Sequence, residues 1–65
     1  MKIVVNGETV DAEGQTLMDL LEQLGQARAK VATAVNAAFV PAARRASTIL
    51  SEGDAVEIVA PRQGG

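Results

Sequence analysis

The chain has no cysteine, no histidine, no tryptophan and no tyrosine. Without cysteine there is no disulfide framework and no thiolate zinc site. Without histidine a metal ion would rest on carboxylates alone, and the eight acidic residues are scattered along the chain; no metal is expected. One phenylalanine is the whole aromatic content, so Leu, Ile and Val must supply the core. Basic residues do not outnumber acidic ones, and the net charge is -2. Binding to nucleic acid needs a cationic patch to neutralise phosphates. The adjacent pair Arg44-Arg45 has no aromatic neighbour for stacking, and nucleic acid is not an expected partner. No apolar run has the length of a membrane span. The opening Met1-Lys2-Ile3-Val4-Val5 turns polar at Asn6, too early for a secretory leader. No membrane partner and a cytoplasmic location are the default expectations. With 65 residues the chain has little room for a deep pocket, which argues against a self-sufficient enzyme.

What is present reads as alternating short strands and one helix. Ile3-Val4-Val5 is β-branched and is followed by Asn6-Gly7, the dipeptide suited to a type I′ turn, where both central residues need positive φ. Glu8 to Asp11 is the returning strand. Thr16 is a good N-cap, with Asp19 three residues on as a variant of the capping box. Leu17, Leu20, Leu21 and Leu24 then recur on one helical face, and Gly25 suits the position just past the helix. The spacing therefore predicts a helix over 17–24. Residues 26–30 carry no clear pattern.

Val31-Ala32-Thr33-Ala34-Val35 alternates with period two and is a strand. The alanine face could lie beneath the helix, where backbones approach closely, or the Val31, Thr33 and Val35 face could point inward; the pattern leaves both open. Ala37-Ala38 is expected to turn the chain into a short strand, Phe39-Val40, stopped by Pro41. Ala42 to Ser47 has the composition of a helical turn, and Thr48-Ile49-Leu50 carries apolar anchors. Gly53 is expected at positive φ in a turn. Ala55 to Ala60 is the last strand, with Val56 and Ile58 on one face and Glu57 and Val59 on the other. The order predicts an α+β fold: a ubiquitin-like β-grasp, with a mixed sheet of four to five strands and one main helix. Residues 1–60 form that domain, and 61–65 form a flexible C-terminal tail, since no apolar anchor follows Val59.

No internal constellation carries chemistry. The sequence has no Ser/His/Asp set and no G-x-x-x-x-G-K-[ST] phosphate loop. Asp11 with Glu13, or Glu52 with Asp54, could be considered as paired carboxylates. An acid-base pair needs a cleft to work in, and these are read as turn and surface acids. The terminal Gly64-Gly65 is different. Paired terminal glycines also occur by chance, but here they follow a strand and a proline. A terminal carboxylate is ionised at neutral pH and is a poor electrophile. Transfer of an adenylyl group from ATP makes it an acyl-adenylate, from which AMP leaves readily. Sulfur can then take the place of AMP as a thiocarboxylate. Glycine has no Cβ, so Gly64 can thread a narrow channel and no side chain crowds the acyl carbon of Gly65.

The hairpin Asn6-Gly7-Glu8, the run Thr16-Leu17-x-x-Leu20-Leu21-x-x-Leu24, the segment Val31-Ala32-Thr33-Ala34-Val35-Asn36, Val40-Pro41, and Glu52-Gly53-Asp54 through Ala60-Pro61-Arg62-Gln63-Gly64-Gly65 together resemble the ThiS family, the sulfur carriers of thiamine (thiazole) biosynthesis. The resemblance spans essentially the whole chain. It implies that Gly65 is adenylated and then thiocarboxylated, with Gly64 as its threading neighbour. It implies three partners: an E1-like (ThiF-like) adenylating enzyme, a cysteine desulfurase or rhodanese-type sulfur donor, and a ThiG-like thiazole synthase. No cofactor is expected on the chain, ATP being used in trans by the activating enzyme, and the free chain is expected to be a monomer.

Two positions depart from the family pattern. Ala42 follows Val40-Pro41 where a basic residue is frequent, with Arg44 or Arg45 as nearby substitutes. Ala46, Ser47 and Thr48 stand where an aromatic residue is common.

Three side chains are candidates for partner contact. Burial tendencies favour Phe39 in the core; the alternative sets Phe39 and Val59 together on the outer sheet face as an apolar patch for the activating enzyme. Arg62 is a solvated charge or a recognition contact beside the reacting end. The rival readings are the small subunit of molybdopterin synthase, also a sulfur carrier with a Gly-Gly end, a ubiquitin-like protein modifier, and a bare interaction domain for which Gly65 is dispensable.

Overall fold

The computed structural model describes residues 1–61. Five strands, one α-helix and one 3-10 helix follow in the order β1 (Lys2–Val5), β2 (Glu8–Asp11), α1 (Leu17–Gln23), β3 (Ala32–Val35), β4 (Ala38–Val40), a 3-10 helix (Ala42–Ser47) and β5 (Ala55–Val59). The sheet order is β2-β1-β5-β3-β4. β1 and β5 are parallel at the centre, and the remaining pairs are antiparallel. This is the mixed five-stranded α+β sheet of a β-grasp.

The first hairpin forms as its residues dictate: Asn6 and Gly7 take φ of 50° and 85°. Thr16 caps α1. Its hydroxyl accepts from Asp19 N–H at 3.0 Å, and Asp19 Oδ2 accepts from the N–H of Thr16 and of Gln15, both at 3.1 Å. That is a full capping box, reciprocal between first turn and cap. These bonds, Thr16 N–H first, hold the Asp19 carboxyl below its ordinary pKa. The helix ends one residue short of the predicted Leu24, which becomes the C-cap. Gly25 follows at φ 74°, Gly25 N–H donates to Glu22 O, and Gln26 N–H donates to Leu21 O. This pair of bonds is the Schellman arrangement.

Leu17, Leu20 and Leu21 press onto Ile3, Val5, Val56 and Ile58 from the sheet, and Ala12, Val40 and Leu50 close the core. The two faces of β5 divide as the alternation requires, with Val56 and Ile58 buried and Ala55, Glu57 and Val59 exposed.

The open choice on β3 is settled, and three expectations change. The buried face of β3 is the one carrying Thr33, which is 2% exposed, while Ala32 is exposed; the larger side chains fill the space under the helix better than alanines do. The second hairpin turns on Asn36-Ala37, at φ 49° and 70°, because Ala38 already pairs with Val35. Phe39 lies outside the core, 69% exposed: Val40 is buried next to it, and neighbours on a strand face opposite ways. Of the two anchors after the 3-10 helix, Leu50 is buried and Ile49 is exposed.

Candidate functional site

Gly64, Gly65 and Arg62, the residues assigned to the tail chemistry and its recognition, lie outside the described residues. The structure does place the strand that leads to them. β5 is a central strand, paired with β1 on one side and β3 on the other, so the chain leaves the domain from its middle rather than from an edge.

Phe39 and Val59 share the outer sheet face, away from the helix. Phe39 stands opposite Ala34, and Val59 opposite Ala32, on either side of β3. Strands lie about 4.8 Å apart and rise about 3.3 Å per residue, so these two side chains, offset by two residues along β3, stand about 12 Å from one another diagonally across the sheet. Between them the alanines of β3 form a low floor. Glu57, opposite Ala34, brings one negative charge to the same face. The result is a shallow apolar trough with an acidic side wall, adjoining the strand that carries the tail. Both side chains are more than half exposed, at 69% and 59%.

Of the carboxylates considered as pairs, Glu13 is exposed and the other three are engaged elsewhere. Asp11 accepts from the Met1 ammonium at 3.4 Å and approaches Lys2 Nζ at 3.5 Å; the ammonium first, then the Lys2 charge, hold its carboxyl below the ordinary range. Asp54 accepts from Ser51 N–H at 2.8 Å and from Asn36 Nδ2 at 3.1 Å. Glu52 accepts from Lys2 N–H at 3.1 Å. Each of these acids ties a turn or terminus, as their reading as turn and surface acids requires. Among the described residues, no group of three metal-ligating side chains converges.

Sequence reasoning missed Arg45. Of the adjacent pair, Arg44 is exposed but Arg45 is only 6% exposed, and it is therefore not a surface contact for a partner. Its Nε donates to Thr33 Oγ1 at 3.0 Å, its Nη2 donates to Val31 O at 2.6 Å, and Thr33 Oγ1 donates onward to Val40 O at 2.8 Å. The guanidinium thus fastens the 3-10 helix to β3 and β4 through dipoles alone. A threonine on the buried face of β3 was the one sequence signal that a polar partner sits inside.

The model of the ThiS family matches residues 2–65. The chain belongs to the ThiS family. The sulfur carrier protein ThiS of Escherichia coli (strain K12) is 38% identical over 66 residues, covering all of both chains. That of Thermus thermophilus is 38% identical over 61 residues, covering 94% of this chain and 95% of the relative. Among solved structures, the crystal structure of the thiamine biosynthesis protein ThiS from Geobacter metallireducens superposes with a TM-score of 0.84 at 29% identity, with full coverage of both chains. Its solution structure gives a TM-score of 0.77 at the same identity, covering all of this chain and 88% of that one. Family membership therefore agrees with the β-grasp architecture.

Proposed function

We propose that the chain is a sulfur carrier of thiamine biosynthesis and that its working group is the carboxylate of Gly65. Its family and its full-length 38% identity to a named sulfur carrier support this reading. It is a carrier and co-substrate, not a catalyst. The Gly65 carboxylate attacks the α-phosphorus of ATP on an E1-like enzyme, and pyrophosphate leaves. A persulfide on a cysteine desulfurase or rhodanese-type protein then attacks the acyl carbon and AMP leaves, giving an acyl disulfide. A thiol cleaves its S–S bond, releasing the thiocarboxylate and leaving the donor sulfur in a disulfide with that thiol. The resulting thiocarboxylate gives its sulfur to a thiazole synthase. ATP is bound by the activating enzyme and not by this chain.

The outer face suits docking of that enzyme. An aromatic and a β-branched side chain flank an alanine floor, so a partner bringing an apolar knob and a cation toward Glu57 would fill the trough. Truncation of an interface aromatic commonly costs about 1–2 kcal/mol, which predicts that Phe39→Ala raises the KM of the activating enzyme for the carrier about tenfold. Its melting temperature stays near wild type, because Phe39 is largely exposed.

The deciding experiment is the intact mass of the chain after incubation with E1-like enzyme, ATP and sulfur donor, beside a chain lacking Gly65. Exchange of one oxygen for sulfur in the full chain alone establishes the carrier chemistry. No change with a demonstrably active enzyme refutes it. Adducts on the lysines of other proteins would point instead to a modifier.

A further inference from the structure

β5 is held unequally on its two sides. Against β3 its ladder runs through Ala32↔Val59. Against β1 the pairing covers Val4↔Ala55 and Val5↔Val56, and then β1 turns away into the hairpin. Asn6 N–H still reaches Val56 O at 2.9 Å, but the backbone groups of Ile58 have no further β1 peptide opposite them. The Asn6 side chain takes that place. Its Oδ1 accepts from Ile58 N–H at 2.9 Å, and its Nδ2 donates to Ile58 O at 3.1 Å. A primary amide carries the same donor and acceptor as a peptide group, so Asn6 acts as one more residue of β1. The left-handed backbone at Asn6, φ 50°, accompanies this side-chain placement.

A second asparagine makes the corresponding bond at the other end of β5. Asn36, at φ 49°, accepts from Ala55 N–H at 3.0 Å through its Oδ1. Two left-handed turn asparagines therefore bracket the strand, one at its start and one at its exit.

We propose that Asn6 is a positioning residue for sulfur loading: by holding Ile58 it fixes the direction and register in which the chain leaves the sheet toward Gly65. The inference rests on the proposed activation of that residue. The docking face depends on Phe39 and on Val59, and Val59 keeps its β3 partner without Asn6. Loss of the Asn6 amide should therefore leave encounter with the enzyme intact and reduce the fraction of encounters in which the tail is correctly presented.

The turn and the side-chain role separate cleanly, because Asn6→Gly keeps a dipeptide that favours the same turn and removes only the amide. Asn36→Gly serves as the control, removing the bracket remote from the tail. Both variants are assayed well below their melting temperatures, with the E1-like enzyme, ATP and sulfur donor, and amide exchange is followed at Ile58. The expected result for Asn6→Gly is faster exchange at Ile58, a kcat about tenfold lower and a KM within about twofold of wild type. For Asn36→Gly it is a comparable drop in melting temperature with kcat unchanged. An unimpaired kcat in Asn6→Gly, or an equal loss in both variants, overturns the proposal while leaving the carrier chemistry standing. A wild-type chain that gains no sulfur overturns both.

Discussion

Among the described residues, Ala37 is the one with positive φ that is neither glycine nor asparagine. It occupies the second position of the β3–β4 turn at φ 70°, where the Cβ of an L-residue crowds the carbonyl that follows. That crowding costs about 1–2 kcal/mol. The matching position of the first hairpin is Gly7, at φ 85°, which bears no such cost. Ala37 is exposed, so its methyl group contributes little packing in return. Ala37→Gly should relieve the strain at the expense of about 0.4–1 kcal/mol of extra chain entropy in the unfolded state. The net expectation is stabilisation by about 0.5–1 kcal/mol, or a melting temperature higher by about 3–6 °C for a domain of this size. Thermal melts followed by circular dichroism would measure it. Ala38→Gly, one residue later on β4, is the control and should melt below wild type. A glycine at 37 that melts at or below wild type would refute the strain argument.

Two further predictions concern the polar groups inside the fold. Arg45→Ala strands the part-buried acceptor at Val31 O and removes two charge-assisted bonds; a loss of about 2 kcal/mol is expected in denaturant unfolding, and a variant within about 0.5 kcal/mol of wild type would show that the guanidinium is not a structural tie. Asp19 has a carboxyl pKa lowered by the Thr16 and Gln15 amides, and Asp11 is lowered by the terminal ammonium and Lys2. A folded-state pKa below the ordinary 3.8 means that these acids contribute stability above that value and lose it as the pH falls through their folded values. Denaturation midpoints should therefore fall as the pH drops below about 4, and fall less steeply in Asp19→Asn; parallel curves for variant and wild type would exclude a contribution from Asp19.

The helix and the first hairpin were legible because their signals are local. The leucine spacing from Leu17 to Leu24, the Thr16–Asp19 pair and Asn6-Gly7 each state a backbone requirement that only nearby residues need to meet. The orientation of β3 was not legible, since Val31-Thr33-Val35 and Ala32-Ala34 can each face a helix and the choice depends on how much volume α1 leaves to fill. Phe39 shows how a residue-type average can mislead. Its tendency to be buried ignores its place in a two-residue period, and with Val40 turned inward on so short a strand Phe39 had to point out. Arg45 was beyond local reasoning: a cation enters a core only where tertiary partners receive it, and these came from Val31 and Thr33, more than ten positions away. In the candidate site the reading of the Gly64-Gly65 end rests on chemistry and lies outside the described residues, and the trough of Phe39, Val59 and Glu57 needed the strand register to assemble it.

The polar side chains of the body are largely committed to its own construction. Asp19 closes the helix cap, Asp54 and Asn36 tie the turns at the start of β5, Asn6 completes β1, and Thr33 and Arg45 satisfy one another within the core. Among the described residues, no buried side-chain nitrogen or oxygen lacks a partner. What the domain leaves uncommitted is an outer face of apolar side chains with one acid, and a central strand that ends beside it. On the proposed function, the carboxylate beyond that strand would be handed from one enzyme to the next, because the surface by which the domain is held and the atom that changes would be separate. The separation predicts that substitutions on the trough alter KM, those at Gly65 abolish loading, those in the buried core move the melting temperature alone, and Asn6 acts on kcat through its hold on Ile58.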